Sequence, residues 1–207
     1  MRNLDSFSEL EEDWLKELFN LGIGSAALSL NQMMKQEVSL SAPRISFTLI
    51  SQFLDMFSDD ENIVSITQQI RGPFSTNSIL LFKETHSQKI AELLLKQKLT
   101  EESMSVLEEE VLSEVGGVVL KSCIDAIAQS IDASFNIGIP MYQKSKTHEL
   151  LKSNNLLPND IILTLHLSLT LKESDITTYI AFVFTPEALH DFFVHQQQFL
   201  NTIDMSK

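Results

Sequence analysis

Asp13, Glu17 and Asn20 are spaced four and three residues apart, the interval that stacks side chains along one side of a helix. They offer two carboxylates and a carboxamide. Asn20 can both donate and accept hydrogen bonds without carrying charge, and Glu17 can receive a cation or a donor. No serine–histidine pair, zinc ligand set or pair of glycosidase carboxylates accompanies them. Alone, a carboxylate beside a carboxamide is ordinary on a solvated helix. The spacing recurs, however. Pro43 follows Asn20 by 23 positions, and Glu110, Glu114, Gly117 and Pro140 repeat the same intervals 97 positions further on. A duplicated spacing this long implies two copies of one structural unit, of which only the first carries the carboxamide.

The elements that position these residues follow from local pattern. Ser8 and Glu11 form a capping box at the start of a helix. Phe7, Trp14, Leu18 and Leu21 define its apolar face, and Asp13, Glu17, Asn20 and Gly24 fall in a stripe beside that face. Gly22 and Gly24 permit close packing or a bend, with a second helical run over 25–36. Residues 38–40 are β-prone, Ala42-Pro43 turns the chain, 45–50 is extended and 52–57 a short helix. The acidic cluster Ser58-Asp59-Asp60-Glu61-Asn62 is a loop. A hairpin over 63–70 and 75–82 turns across Arg71-Gly72-Pro73, and Thr85 or Ser87 caps a helix to Leu95. The order then repeats. Thr100 opens a helix toward Ile131, with Glu101 and Glu102 suited to the dipole of its first turn. Residues 135–139 are extended up to Pro140, 148–152 form a short helix, and 161–171 and 177–184 are strands. Pro186 starts a last helix to about Leu200.

Each half is thus helix, proline-marked extended segment, loop, two strands and helix, over about 8–97 and 100–201. Such a unit cannot bury its sheet and its helices alone. The expected fold is of the α/β (α+β) class: a two-layer domain of 1–207 with a pseudo-twofold axis, its continuous antiparallel sheet covered by helices. No linker separates Leu95 from Thr100.

Composition bounds the function. The 207 residues are 43% hydrophobic and 21% charged with a net charge of −13, a globular balance. Nucleic acid is excluded as a partner because no basic stripe is present. No apolar run is long enough to span a bilayer and no leader pattern opens the chain, so a membrane partner is not expected and a cytoplasmic location is. The single cysteine, Cys123, lies among Val119, Leu120, Ile124 and Ile127 and reads as a buried structural thiol. The five histidines show no metal-ligand spacing, so no metal site is expected. Glu108-Glu109-Glu110 reads as a solvated stripe, and Phe192, Phe193 and Phe199 as core. Gly22-x-Gly24 follows no strand and is a packing feature, not a dinucleotide fingerprint.

The run Asp-x3-Glu-x2-Asn-x22-Pro, with Glu17-Leu18-Phe19-Asn20-Leu21-Gly22-Ile23-Gly24-Ser25-Ala26-Ala27 around it, resembles the signature of the CheC/CheX/FliY family of chemotaxis phosphatases, nearest to CheC. Ala42-Pro43-Arg44 is similar to the family's proline step. Glu114-Val115-Gly116-Gly117 resembles its second motif with the asparagine lost. The resemblance covers nearly the whole chain. It implies hydrolysis of the aspartyl phosphate of a CheY-type response regulator. In that reaction Asn20 would orient water, Glu17 would engage a lysine of the partner, and Asp13 would support or contact. It implies no cofactor on this chain, since Mg²⁺ would be carried by the regulator. Glu110, Glu114 and Gly117 would form a degenerate second site. An alternative is a non-catalytic module that holds a response regulator or a CheD-like deamidase. A third reading makes the duplicated motif a packing device only. A FliY-like switch component is disfavoured by the sequence reading, because no switch domain follows Met205-Ser206-Lys207.

Overall fold

Proline has no amide hydrogen to give to a sheet, and each repeat places one in its leading strand. In the computed structural model the chain splits that strand on either side of the proline. The first repeat runs α1 (Glu9–Met34), β1 (Val38–Leu40), β2 (Arg44–Leu49), α2 (Ile50–Leu54), β3 (Ile63–Arg71), β4 (Thr76–Lys83) and α3 (Glu84–Leu95). The second runs α4 (Glu101–Ser130), β5 (Asn136–Ile137), β6 (Met141–Ser145), α5 (Thr147–Ser153), β7 (Ile161–Leu171), β8 (Ser174–Phe184) and α6 (Pro186–Asp204). The structure describes residues 8–35, 37–58, 61–96, 101–171 and 174–204. Phe7, Asp59, Asp60 and Thr100, assigned above to a helix face, a loop and a helix start, lie outside them, as does the 97–100 junction.

All eight strands join one antiparallel sheet, and the repeats exchange edges within it. The path is β1-β7-β8-β4-β3-β5, with β2 also on β7 and β6 also on β3. The first repeat's split strand therefore pairs with the second repeat's hairpin, and the reverse. The registers match. Ile45 lies opposite Leu165, and Tyr142, its counterpart 97 positions on, lies opposite Ile66. Leu40 faces Leu169 as Ile137 faces Ile70. The pseudo-twofold expected from the spacing passes between the central strands β4 and β8, which pair from Thr76↔Phe184 to Leu81↔Tyr179.

Period-2 alternation sends Leu163, Leu165, Leu167, Leu169 and Leu171 of β7 to one face, where they join one core with residues of α1, α3, α4 and α6. Phe19 of α1 stacks on Phe182 of β8 at a centroid distance of 5.6 Å. On the other face, α2 and α5 add a smaller core that was not foreseen. Phe53, Phe57 and Leu150 there cover Ile63, Leu81, Ile162 and Ala181.

Helix α1 begins as its capping box requires. The Ser8 amide donates to Glu11 Oε2 at 2.9 Å, and the Glu11 amide donates to Ser8 Oγ at 3.3 Å. It continues as one helix to Met34, not two runs, because the glycines lie inside a packed helix. Gly22 meets α4: a Cβ added there would sit 3.0 Å from Cys123 Cα and 3.2 Å from the Ser122 carbonyl oxygen. Gly24 faces open space, with nothing within 4 Å of such a Cβ. At the far end, Asn31 Oδ1 accepts from the Val38 amide at 2.6 Å and Asn31 Nδ2 donates to the Val38 carbonyl at 3.1 Å. That pair ties β1 to α1 and sets the start of the turn through Pro43.

Four local readings are corrected. The short helix expected at 52–57 lies at Ile50–Leu54, and the strand β6 was not foreseen. α3 starts from Lys83 rather than Thr85 or Ser87, with no side-chain cap bond. Ser87 instead donates to Glu108 Oε1 at 2.6 Å, and Glu108 is 1% exposed. That carboxylate is a buried link between α3 and α4, not part of a solvated stripe.

The two glycines separate packing from propensity. Gly22→Ala gains about 1 kcal/mol of helix propensity but presses a methyl onto the backbone of α4, an overpacking cost of about 1–3 kcal/mol. Chemical denaturation should show a net loss for Gly22→Ala and a gain of about 0.5–1 kcal/mol for Gly24→Ala.

Candidate functional site

The buried side of α1 carries Leu15, Leu18, Phe19, Gly22, Ile23, Ala26 and Leu30. With about 100° between residues, Asp13, Glu17, Asn20 and Gly24 then fall on the opposite, outward side, and all four are exposed. The stripe was expected beside the apolar face. It is displaced from there because α4 crosses at Gly22 and turns the buried side toward that crossing. Leu21, assigned to the apolar face, is for the same reason 62% exposed.

The stripe's members differ in what holds them. Asp13 Oδ1 accepts from Lys16 Nζ at 3.3 Å, and the same ammonium lies 3.6 Å from Glu12. Among the described residues no hydrogen bond or ion pair is made by the side chains of Glu17 or Asn20. Asp13 is engaged within its own helix turn, whereas Glu17 and its neighbour Asn20 present unengaged polar groups to solvent.

The second copy occupies the equivalent place on α4. Glu110 and Glu114 are exposed and Gly117 is half-buried. Pro140 lies over Gly117: a Cβ built on the glycine would stand 3.1 Å from Pro140 Cγ. In this copy the 23-residue interval thus brings the proline that splits the strand against the helix. Lys121, the counterpart of Gly24, pairs with Asp125. The second surface has a glycine in place of the carboxamide and carries a charge pair, and Ile139 and Met141 beside Pro140 are 85% and 70% exposed.

Glu84, Tyr142 and Cys123 have shifted titration. The Lys144 ammonium, with help from Asn62, holds the Glu84 carboxyl below its usual range against some opposing burial. Burial, then the carboxylates of Glu108, Glu109 and Glu84, pushes the Tyr142 hydroxyl up. Burial alone pushes the Cys123 thiol up to about 12. Among the described residues, no group of three His, Cys, Asp or Glu could hold a metal ion, and no helix is long and apolar enough to cross a membrane.

No protein-family model matches the sequence. The chain is 25% identical over 138 residues to the flagellar motor switch phosphatase FliY of Bacillus subtilis (strain 168), a span of 63% of this chain and 36% of that protein. The chain therefore matches about a third of its relative's length. Among solved structures, FliY of Thermotoga maritima superposes with a TM-score of 0.73 at 13% identity, covering 93% of this chain and 98% of that one. The FliM middle domain from H. pylori gives 0.65 at 9% identity, covering 91% and 99%. A chain of the CheX–CheY–BeF3–Mg²⁺ complex from Borrelia burgdorferi gives 0.53 at 15% identity, covering 82% and 97%. At these identities the structures share the fold and carry nothing further. The sequence match to a FliY weighs against setting that branch aside.

Cys123 is 0% exposed at the α1–α4 crossing, and thiolate is the reactive form. A maleimide at pH 8 should leave the native protein unlabelled and label it fully in denaturant; labelling of the native protein within minutes would show that this crossing opens.

Proposed function

We propose that this chain, which resembles the CheC/CheX/FliY family in its motif and in its match to a FliY, hydrolyses the aspartyl phosphate of a CheY-type response regulator, using Glu17 and Asn20 of α1. The observation that carries this reading is the pair itself: an exposed carboxylate and carboxamide, neighbours on one helix face and without an internal partner, in the one repeat that keeps the full motif. The chain of known structure that shares the fold and is complexed with CheY, BeF3 and Mg²⁺ supports the partner class.

An acyl phosphate is already reactive, so the protein need not supply a nucleophile. A water oxygen bonds to phosphorus as the phosphorus–oxygen bond to the aspartate breaks. The carboxylate leaves with the electron pair, inorganic phosphate forms, and the water's proton passes to phosphate or solvent. The divalent cation is expected on the regulator. Asn20 can hold the attacking water in line through its amide oxygen and steady a phosphoryl oxygen through its amide nitrogen. That is a positioning role comparable to the water-orienting glutamine of GTPases. Glu17, one helical turn away, is suited to a charge-assisted contact with a lysine of the partner. Asp13, bound to Lys16, supports the helix face. At the second copy Gly117 has no group to orient water, and Pro140 covers the position.

A binding-only role is the second reading, for a response regulator or a CheD-like deamidase. It is favoured by the exposed apolar residues that flank the second copy and by the same fold in a FliM middle domain.

Loss of one hydrogen bond to the reacting water is worth about 1.5–3 kcal/mol, or about 10- to 150-fold in rate. Decay of a phosphorylated CheY-type regulator should accelerate with the wild type and slow by that factor with Asn20→Ala. Glu17→Ala should act mainly by raising KM, and Gly117→Ala should match the wild type. A binding-only protein would form the complex without accelerating decay.

A further inference from the structure

Beside the stripe lies a cleft of about 450 Å³ between α1, α4 and α6, lined by Trp14, Leu18, Leu21, Ala126, Gln129 and Phe199. Trp14 and Phe199 close one part of it, their rings 6.3 Å apart at 50°. Glu17 stands in its wall and thus belongs to both the cleft and the candidate site. Leu21 follows Asn20 in sequence and continues the apolar lining outward. Leu10 and Leu28, which are 54% and 67% exposed, fall within about 20° of it on the helix wheel, at about 100° per residue. One exposed leucine needs no explanation, but Leu21 stands at the mouth of an apolar cleft beside a polar stripe, where an exposed apolar group marks a candidate contact. The charge at its edge is one-signed. Asp125 in the wall is already neutralised by Lys121, which leaves Glu17 as the acid facing a ligand, on a chain of net charge −13.

We propose that this cleft is the anchoring socket for the response regulator, taking an apolar side chain that stands next to a basic residue on the regulator's surface. The proposal rests on the functional reading above and adds what selects the partner: Glu17 reads the basic group, while Trp14, Leu21 and Phe199 enclose its apolar neighbour. The volume is in the range of about 300–1,000 Å³ that binds a discrete group. An aromatic-lined pocket at the centre of a contact is where binding energy concentrates.

The test uses a CheY-type regulator loaded with Mg²⁺ and BeF3⁻, and measures Kd by titration. Ser25→Trp and Gln129→Trp place a large ring at exposed wall positions, one on each helix, and Leu21→Ser removes the apolar lip. Each should raise Kd at least about tenfold while the unfolding midpoint stays near that of the wild type. Wild-type Kd in both folded tryptophan variants would overturn the socket, and if either variant misfolds, Leu21→Ser decides. A wild type that binds the loaded regulator but does not accelerate phosphate release would overturn the catalytic reading alone. Absence of binding would overturn both. A dimer of this chain that Ser25→Trp dissociates would put a second copy in the cleft and overturn the assignment.

Discussion

The close crossing of α1 and α4 at Gly22 is the contact on which the arrangement depends. A helix backbone there meets the Cα of Cys123 and the carbonyl of Ser122, so closely that a methyl on Gly22 would stand 3.0 Å and 3.2 Å from them. Because each long helix spends its inward side on the other helix and on the sheet, its remaining polar stripe must face outward. Fixing one crossing therefore orients Asp13, Glu17 and Asn20 on one helix and Glu110, Glu114 and Gly117 on the other. The strand exchange holds this pair in place: among the described residues β1 and β2 pair with β7, and β5 and β6 with β3, so each repeat completes an edge of the other's hairpin.

The two repeats place their stripes equivalently on α1 and α4, and the residues at those places differ. In the first, the helix offers a carboxamide next to an unengaged carboxylate. In the second, the equivalent position is a glycine against Pro140, and the neighbouring lysine is occupied by Asp125. A carboxamide can orient water and a bare backbone position cannot. The shared glutamate and proline describe the structural unit, whereas Asn20 against Gly117 describes where chemistry is expected.

Much of the fold was legible because its signals are periodic. The β7 leucines alternate cleanly, the Ser8–Glu11 cap is a local rule, and the 97-residue repeat exposes the symmetry. What was hidden depends on contacts distant in sequence. Leu21 reads as a core position until α4 fixes which side of α1 is buried. Ser87 reads as a cap until buried Glu108 claims its hydroxyl. The strand β6, Met-Tyr-Gln-Lys-Ser, lacks an alternating apolar signal because it lies at the sheet edge, where pairing with β3 alone sustains it. The motif residues of the candidate site were legible as a pattern, but their outward placement, and the Trp14–Phe199 cleft beside them, required three helices that the sequence sets far apart.

The central claim is that water is positioned by the first repeat alone. Asn20→Gly makes the two copies alike at that position, and the rate of inorganic phosphate release from a phosphorylated CheY-type regulator tests it most directly. Release should fall to, or close to, the regulator's own rate while the complex still forms. Release at the wild-type rate would contradict the assignment of the chemistry to Asn20.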